Sequence, residues 1–180
     1  ALDGTLIDSM PIHKIAWMEI CAAEGFDFTD EIFYKYAGVP SEKIFEILNS
    51  EYGTTFNPAY HSSLKEDVYS KMTDQVKIIP EVFEVVKHYH GKIPLSIGTG
   101  SPRAHSLEIV KHLGLDKFID ILVAKDDVEN GKPAPDTFLK CADLMGVLPS
   151  ECVVFEDGDA GIEAAERAGM MFIDIRKEIA

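Results

Sequence analysis

The segment Phe155-Glu-Asp-Gly-Asp159 sets two adjacent carboxylates, Glu156 and Asp157, behind an apolar run with no basic residue beside them. Carboxylates this close repel each other unless a cation stands between them, and hard oxygen donors of this kind suit Mg²⁺. The alternative is an acid that caps the next helix; Asp159 is placed for that role, which leaves Glu156 and Asp157 to be explained. In Gly131-Lys-Pro-Ala-Pro135 two prolines stiffen the backbone around Lys132. It reads as a placed cation or, equally simply, as a solvated lysine in a rigid turn. Gly98-Thr-Gly-Ser101 offers hydroxyls and backbone N–H groups at the start of a helix. That suits a phosphate oxygen, and it is also an ordinary strand-to-helix loop. Ala1-Leu-Asp-Gly-Thr-Leu-Ile-Asp8 carries Asp3 before a glycine, by itself a weak signal. A metal, one fixed lysine and a phosphate cradle would together serve phosphoryl transfer, which needs alignment and charge neutralisation.

Such loops need elements to position them. In the second half of the chain, residues 92–98, 118–124, 152–155 and 170–175 read as strands. Residues 102–113, 136–145 and 159–168 read as helices, stopped by Gly114, Gly146 and Gly169. Strand and helix in series imply an α/β fold, a parallel sheet with helices on both faces, which binds ligands beyond the carboxyl ends of its strands. The first half carries almost no strand signal. Residues 11–24, 41–48 (behind Ser41 as N-cap) and 61–72 have helical spacing, and the region reads as four helices in all. We take residues 9–77 as an inserted helical cap in a core made of 1–8 and 78–180, well placed to lid a site at the strand ends. Trp17, Phe28, Phe33, Tyr34 and Tyr36 are expected to pack the cap helices.

Composition narrows the partners. A net charge of −14 over 180 residues lacks the basic stripe of a nucleic-acid surface and disfavours an anionic membrane. Neither a signal pattern nor an apolar span is present, and Cys21, Cys141 and Cys152 have no disulfide or zinc spacing. A cytoplasmic monomer or weak homodimer acting on a small phosphorylated metabolite is the expectation.

Taken together and in this order, the four loops resemble those of the haloacid dehalogenase-like superfamily, in the branch with a small helical cap. Asp3-Gly-Thr-Leu-Ile-Asp-Ser9 matches the end of the first motif, Thr99 the second, Lys132 the third and Glu156-Asp157 the fourth. The likeness spans the chain and is strongest to the β-phosphoglucomutase and fructose-1-phosphatase-like group, through Gly98-Thr-Gly-Ser101, Lys132-Pro-Ala-Pro-Asp-Thr-Phe138 and Cys152-Val-Val-Phe-Glu-Asp157.

The resemblance implies a Rossmann-like core and a Mg²⁺-dependent phosphatase of hexose phosphates, fructose-1-phosphate among them, working through an aspartyl-phosphate. It places Asp3 as acid/base, with its backbone carbonyl on Mg²⁺, and Asp157 on the metal with Glu156 beside it or acting through water. Thr99 would bond the transferring phosphoryl group, with Gly100 and Ser101 next to it, and Lys132 would tether the nucleophile. In the cap, His13 resembles a histidine that orients the acid/base aspartate, and Lys65 a lysine that holds an anionic group. For both, an ordinary helix-surface residue is the alternative. Gly38-Val-Pro-Ser41 resembles the substrate-reading loop; relatives that run the mutase reaction carry arginine where this chain has Ser41, which favours a hydrolase. One residue departs from the pattern. Ala1 stands where the nucleophilic aspartate belongs, and a methyl group neither attacks phosphorus nor ligates metal. The apolar strand that should lead into the motif is absent as well. We read this as truncation of a longer protein, which alone does not account for the alanine. An introduced aspartate-to-alanine change and a natural phosphate-binding pseudoenzyme are the alternatives.

Overall fold

The computed structural model describes residues 1–179. The chain leaves and re-enters its core through a short antiparallel clamp: Ile7–Asp8 (β1) pairs with Lys77–Ile78 (β2), Ile7 opposite Ile78 and Asp8 opposite Lys77. Two-residue strands show no period in a sequence, and neither was expected.

Between them run Met10–Ala23 (α1), Asp30–Lys35 (α2), Ser41–Tyr52 (α3) and Pro58–Ser70 (α4). Local chemistry sets their ends. Thr29 Oγ1 accepts from Ile32 N at 3.3 Å and Asn57 Oδ1 from Tyr60 N at 3.0 Å, each filling an orphan donor of a first turn. Asn57-Pro58 therefore starts α4 earlier than apolar spacing alone suggests, since proline at the first position costs no hydrogen bond. Ser41 is not the cap of α3: Pro40 holds that position, and the Ser41 hydroxyl turns elsewhere. The four helices bury a cluster of their own, including Trp17, Phe28, Phe33, Tyr36, Phe45 and Phe56, with Trp17 stacked on Phe28 at 4.9 Å. Burying each such ring stabilises the cap by roughly 1.5–3 kcal/mol. Tyr34, expected inside, is exposed.

The core follows with Pro80–Tyr89 (α5), Ser96–Gly98 (β3), Arg103–His112 (α6), Ile121–Val123 (β4), Asp136–Met145 (α7), Val153–Glu156 (β5), Asp159–Arg167 (α8), Met171–Asp174 (β6) and Ile175–Glu178 (α9). β3 pairs parallel with β4, and β5 parallel with β6. The backbone N–H of Ala1 donates to Phe155 O at 2.7 Å, so the first residues lie along β5. The strand expected from residue 92 begins only at Ser96, because Pro94 has no N–H to give a ladder and residues 92–93 are exposed. Helix α5 escaped the sequence reading. The core cluster joins Leu2, Leu6, Ile7, Ile97, Val110 and Leu115 to Ile12, Ala16 and Tyr69 of the helical insertion. The base of the helical insertion is thus fixed to the core by shared packing. Among the described residues no helix is long and apolar enough to cross a membrane.

Candidate active site

One cavity opens between the helical insertion and the strand ends, with Ala1, Asp3, Thr99, Ser101, Lys132 and Asp157 on its core side. His13, Gly38, Ser41, Lys65 and Glu66 face it from the insertion. Asp3 is its hub. Gly4, at φ 71°, turns the backbone behind it and leaves room for Asp157, whose Oδ2 would stand 2.1 Å from a Cβ at that position. Asp3 Oδ1 receives Ser9 Oγ at 2.6 Å and lies 3.0 Å from His13 Nε2. Its Oδ2 receives Ser101 Oγ at 2.8 Å and, more weakly, Thr99 Oγ1 at 3.4 Å.

The insertion sets the state of that histidine. Lys65 Nζ lies 2.8 Å from His13 Nδ1. An ammonium only donates, so Nδ1 accepts and Nε2 keeps its proton for Asp3. Burial opposes ionisation of Asp3, but His13 and the Ser9 and Ser101 hydroxyls outweigh it and hold the carboxyl below its ordinary range. His13 and Lys65 are buried, not helix-surface residues.

Glu156 and Asp157, neighbours in sequence, part company in space. Strand side chains alternate, and Glu156 turns inward. Its Oε1 lies 2.7 Å from Lys132 Nζ, and its Oε2 accepts the N–H groups of Asp157 and Gly158 at 2.8 and 2.9 Å. Gly158 stands at the N-cap of α8 and no side chain caps the helix, so Asp159, expected there, is its first residue instead. Both oxygens of Glu156 are engaged within the protein, one of them by Lys132, an arrangement compatible with its expected place beside the metal or acting through water. Lys132, expected to tether a nucleophile at position 1 where this chain has alanine, is held by Glu156. Asp157 has one hydrogen-bond donor on its side chain among the described residues, Thr5 Oγ1 at 2.9 Å. Burial and the Glu156 charge push its carboxyl up to about 6.

Three core loops meet the loop at residues 37–41 of the insertion at glycines. A Cβ on Gly100 would stand 2.7 Å from Gly38 O, one on Gly158 2.7 Å from Ala37 O, and one on Gly131 2.4 Å from Pro40 Cγ. None of the three needs a left-handed backbone, so close approach explains the glycine. We expect Gly158→Ala to prop this loop off the core and weaken phosphate-ester binding by about tenfold, or about 1.4 kcal/mol. Titration of the variant by calorimetry checks it; unchanged affinity would mean that the loop closes without its seat.

Sequence reasoning gave no role to Ser9, Tyr69, Glu66 and His105, which complete the polar shell. Tyr69 OH reaches Asp3 Oδ1 at 3.5 Å, and His105 Nδ1 lies 3.3 Å from Glu66 Oε2. Only Ser9, two residues beyond the Asp-Gly-Thr-Leu-Ile run, lay where a signal could have been read.

Comparison with known proteins agrees with this geometry. The family described as haloacid dehalogenase-like hydrolase matches residues 2–175. The chain is 41% identical over 176 residues to the fructose-1-phosphate phosphatase YqaB of Escherichia coli K12, covering 97% of this chain and 93% of that one. It is 31% identical to a phosphorylated carbohydrates phosphatase of Thermotoga maritima, over 94% of this chain and 79% of that one. The crystal structure of a hydrolase from Pseudomonas syringae superposes with a TM-score of 0.87 at 28% identity, over 96% of this chain and 81% of that one.

Proposed function

The chain belongs to the haloacid dehalogenase-like hydrolase family, and from that premise we propose that its site is built to take phosphate from small sugar phosphates with the help of Mg²⁺. The observation that carries this reading is the convergence of Asp3, Thr99, Ser101, Lys132 and Asp157 on one cavity beneath the helical insertion. The names of the Escherichia coli and Thermotoga relatives, both sugar- or carbohydrate-phosphate phosphatases, support a hexose phosphate such as fructose-1-phosphate.

The residues fit a hard divalent cation. Asp157 is a half-buried carboxylate that among the described residues receives only a hydroxyl, and a cation would relieve the desolvation and repulsion that raise its pKa. Asp157 and the Asp3 backbone carbonyl would hold the ion. Mg²⁺ needs few protein ligands, since it keeps several waters; among the described residues no group of three or more His, Cys, Asp and Glu side chains gathers to hold a metal. Bound there, the ion would neutralise charge on the transferring phosphoryl group.

The chain's own groups would do the rest. Thr99 and Ser101 present hydroxyls at the Asp3 carboxylate, where a phosphoryl oxygen would replace it as their acceptor. A phosphate brought close adds negative charge and favours a proton on Asp3, which would pass to the leaving sugar oxygen; the resulting carboxylate would later take a proton from water. Lys65, through His13, keeps Asp3 oriented for both steps. Residue 1 would supply the attacking carboxylate if it were aspartate; Ala1 lines the cavity instead. That observation favours a second reading, a protein that binds sugar phosphates without turning them over. Ser41, which donates to Glu66 at 2.9 Å, offers no cation for a second phosphate, which favours hydrolysis over a mutase reaction.

Calorimetric titration with Mg²⁺ tests the metal. Binding is expected at neutral pH, weakening about tenfold per pH unit below about 6 as the Asp157 carboxyl takes up its proton, and vanishing in Asp157→Asn. Mg²⁺ affinity unaffected by that substitution would remove Asp157 from the site.

A further inference from the structure

The cap-side wall of the cavity carries a carboxylate that the proposed reaction does not use. Glu66 lies next to Lys65 in α4 and is almost fully buried. Its Oε1 accepts from Lys65 Nζ at 3.0 Å and from Ser41 Oγ at 2.9 Å, and its Oε2 faces His105 Nδ1 at 3.3 Å. Burial would raise its pKa, but Lys65, His105 and His13 overcome that and keep it ionised. The cavity's two lysines are therefore both matched: Lys132 by Glu156, Lys65 by Glu66. Among the described residues lining it, four carboxylates stand against these two cations. A divalent ion at Asp157 would balance the excess at the core end. At the cap end the cationic groups, Lys65 and His105, both lie against Glu66.

We propose that Glu66 makes the far end of the site a filter for charge, admitting the neutral hydroxyls of a sugar monophosphate and rejecting a second phosphate or a carboxylate. This rests on the phosphomonoester reading above and narrows its substrate class. A sugar hydroxyl both donates and accepts, so it fits between Glu66, which accepts, and Lys65 and Ser41, which have donor and acceptor capacity remaining. A second anion would meet the Glu66 carboxylate in a poorly solvated wall, where like charges cost most, and selectivity arises from that repulsion as much as from attraction.

Trp17 is the single tryptophan and lines the cavity, so its fluorescence reports occupancy. The chain is titrated, with Mg²⁺ present, with fructose 1-phosphate and with fructose 1,6-bisphosphate. The monophosphate is expected to bind at least tenfold more tightly. In Glu66→Gln, which keeps the size and the acceptor oxygen, the ratio should fall to about threefold or less. Ser41→Arg, which adds a cation to the same wall, should reverse it, and it keeps the test open if the Gln variant fails to fold. A bisphosphate that binds wild type as tightly as the monophosphate, or a ratio unmoved in both variants, overturns the filter while leaving the phosphomonoester site standing. If neither ester binds wild type at millimolar concentration, the phosphomonoester reading falls, and the filter with it.

Discussion

Ala1→Asp is expected to raise phosphomonoester turnover by about 10³-fold or more over the unchanged chain, measured as Mg²⁺-dependent release of p-nitrophenol from p-nitrophenyl phosphate. Ala1 lines the same cavity as Asp3 and Asp157. Everything else the reaction would need is already gathered there: a carboxylate held in place by five hydroxyl or imidazole partners, a half-buried carboxylate suited to a metal, and a buried lysine. The missing part is the group that bonds to phosphorus. Covalent catalysis fails almost completely when that group alone is removed, because the remaining members act as a unit. An unchanged chain that turns over as fast as Ala1→Asp would show that position 1 is not where the nucleophile belongs. An Ala1→Asp chain inert on every ester tried would leave the binding-only reading in its place.

Lys132→Met is expected to lower the melting temperature by about 6–20 °C as well as to abolish turnover in the Ala1→Asp background. Lys132 and Glu156 pair at 2.7 Å with side chains 2% exposed on both sides. Breaking such a pair from one side leaves a buried charge with no counter-ion, a cost of about 3–5 kcal/mol, and in a chain of this length each kcal/mol shifts the midpoint by roughly 2–4 °C. Adding Glu156→Gln should restore most of the stability. The amide oxygen still accepts from the Asp157 and Gly158 N–H groups, and no unpaired charge remains. Activity should stay absent, since the cation beside the phosphoryl site is still gone. Thermal unfolding followed by circular dichroism separates the two effects. If Lys132→Met unfolded at the wild-type temperature, the pair would contribute nothing net to stability and the lysine's role would be chemical alone.

Much of this was legible from residue order. Helix α7 runs over the expected residues 136–145, because an amphipathic pattern sits between Pro135 and Gly146, and the glycine takes the left-handed backbone that ends a helix (φ 69°). The strand-helix alternation of the second half and the helical first half were readable for similar reasons: periodicity and stop signals are local. So were Asp3, Thr99, Lys132 and Asp157, each in a loop where residue type and neighbours narrow the chemistry. The clamp of β1 and β2 was not readable, since two-residue strands carry no pattern. Nor was the buried state of His13 and Lys65, because a polar residue on a helix gives no sign of what packs over it.

The amino-acid order by itself determined the α/β core, the helical insertion and which residues stand in the loops that meet at the cavity, because these follow from propensities and spacings acting over a few residues. Only the tertiary structure decided the partnerships. Glu156 and Asp157 look equivalent in a line, yet strand alternation sends one to a lysine 24 residues away and leaves the other at the cavity. Lys65 and His13, 52 residues apart, meet at 2.8 Å and so set which nitrogen of the imidazole faces Asp3. Pairing of charges depends on distance and burial in three dimensions, and neither quantity is defined until the chain has folded.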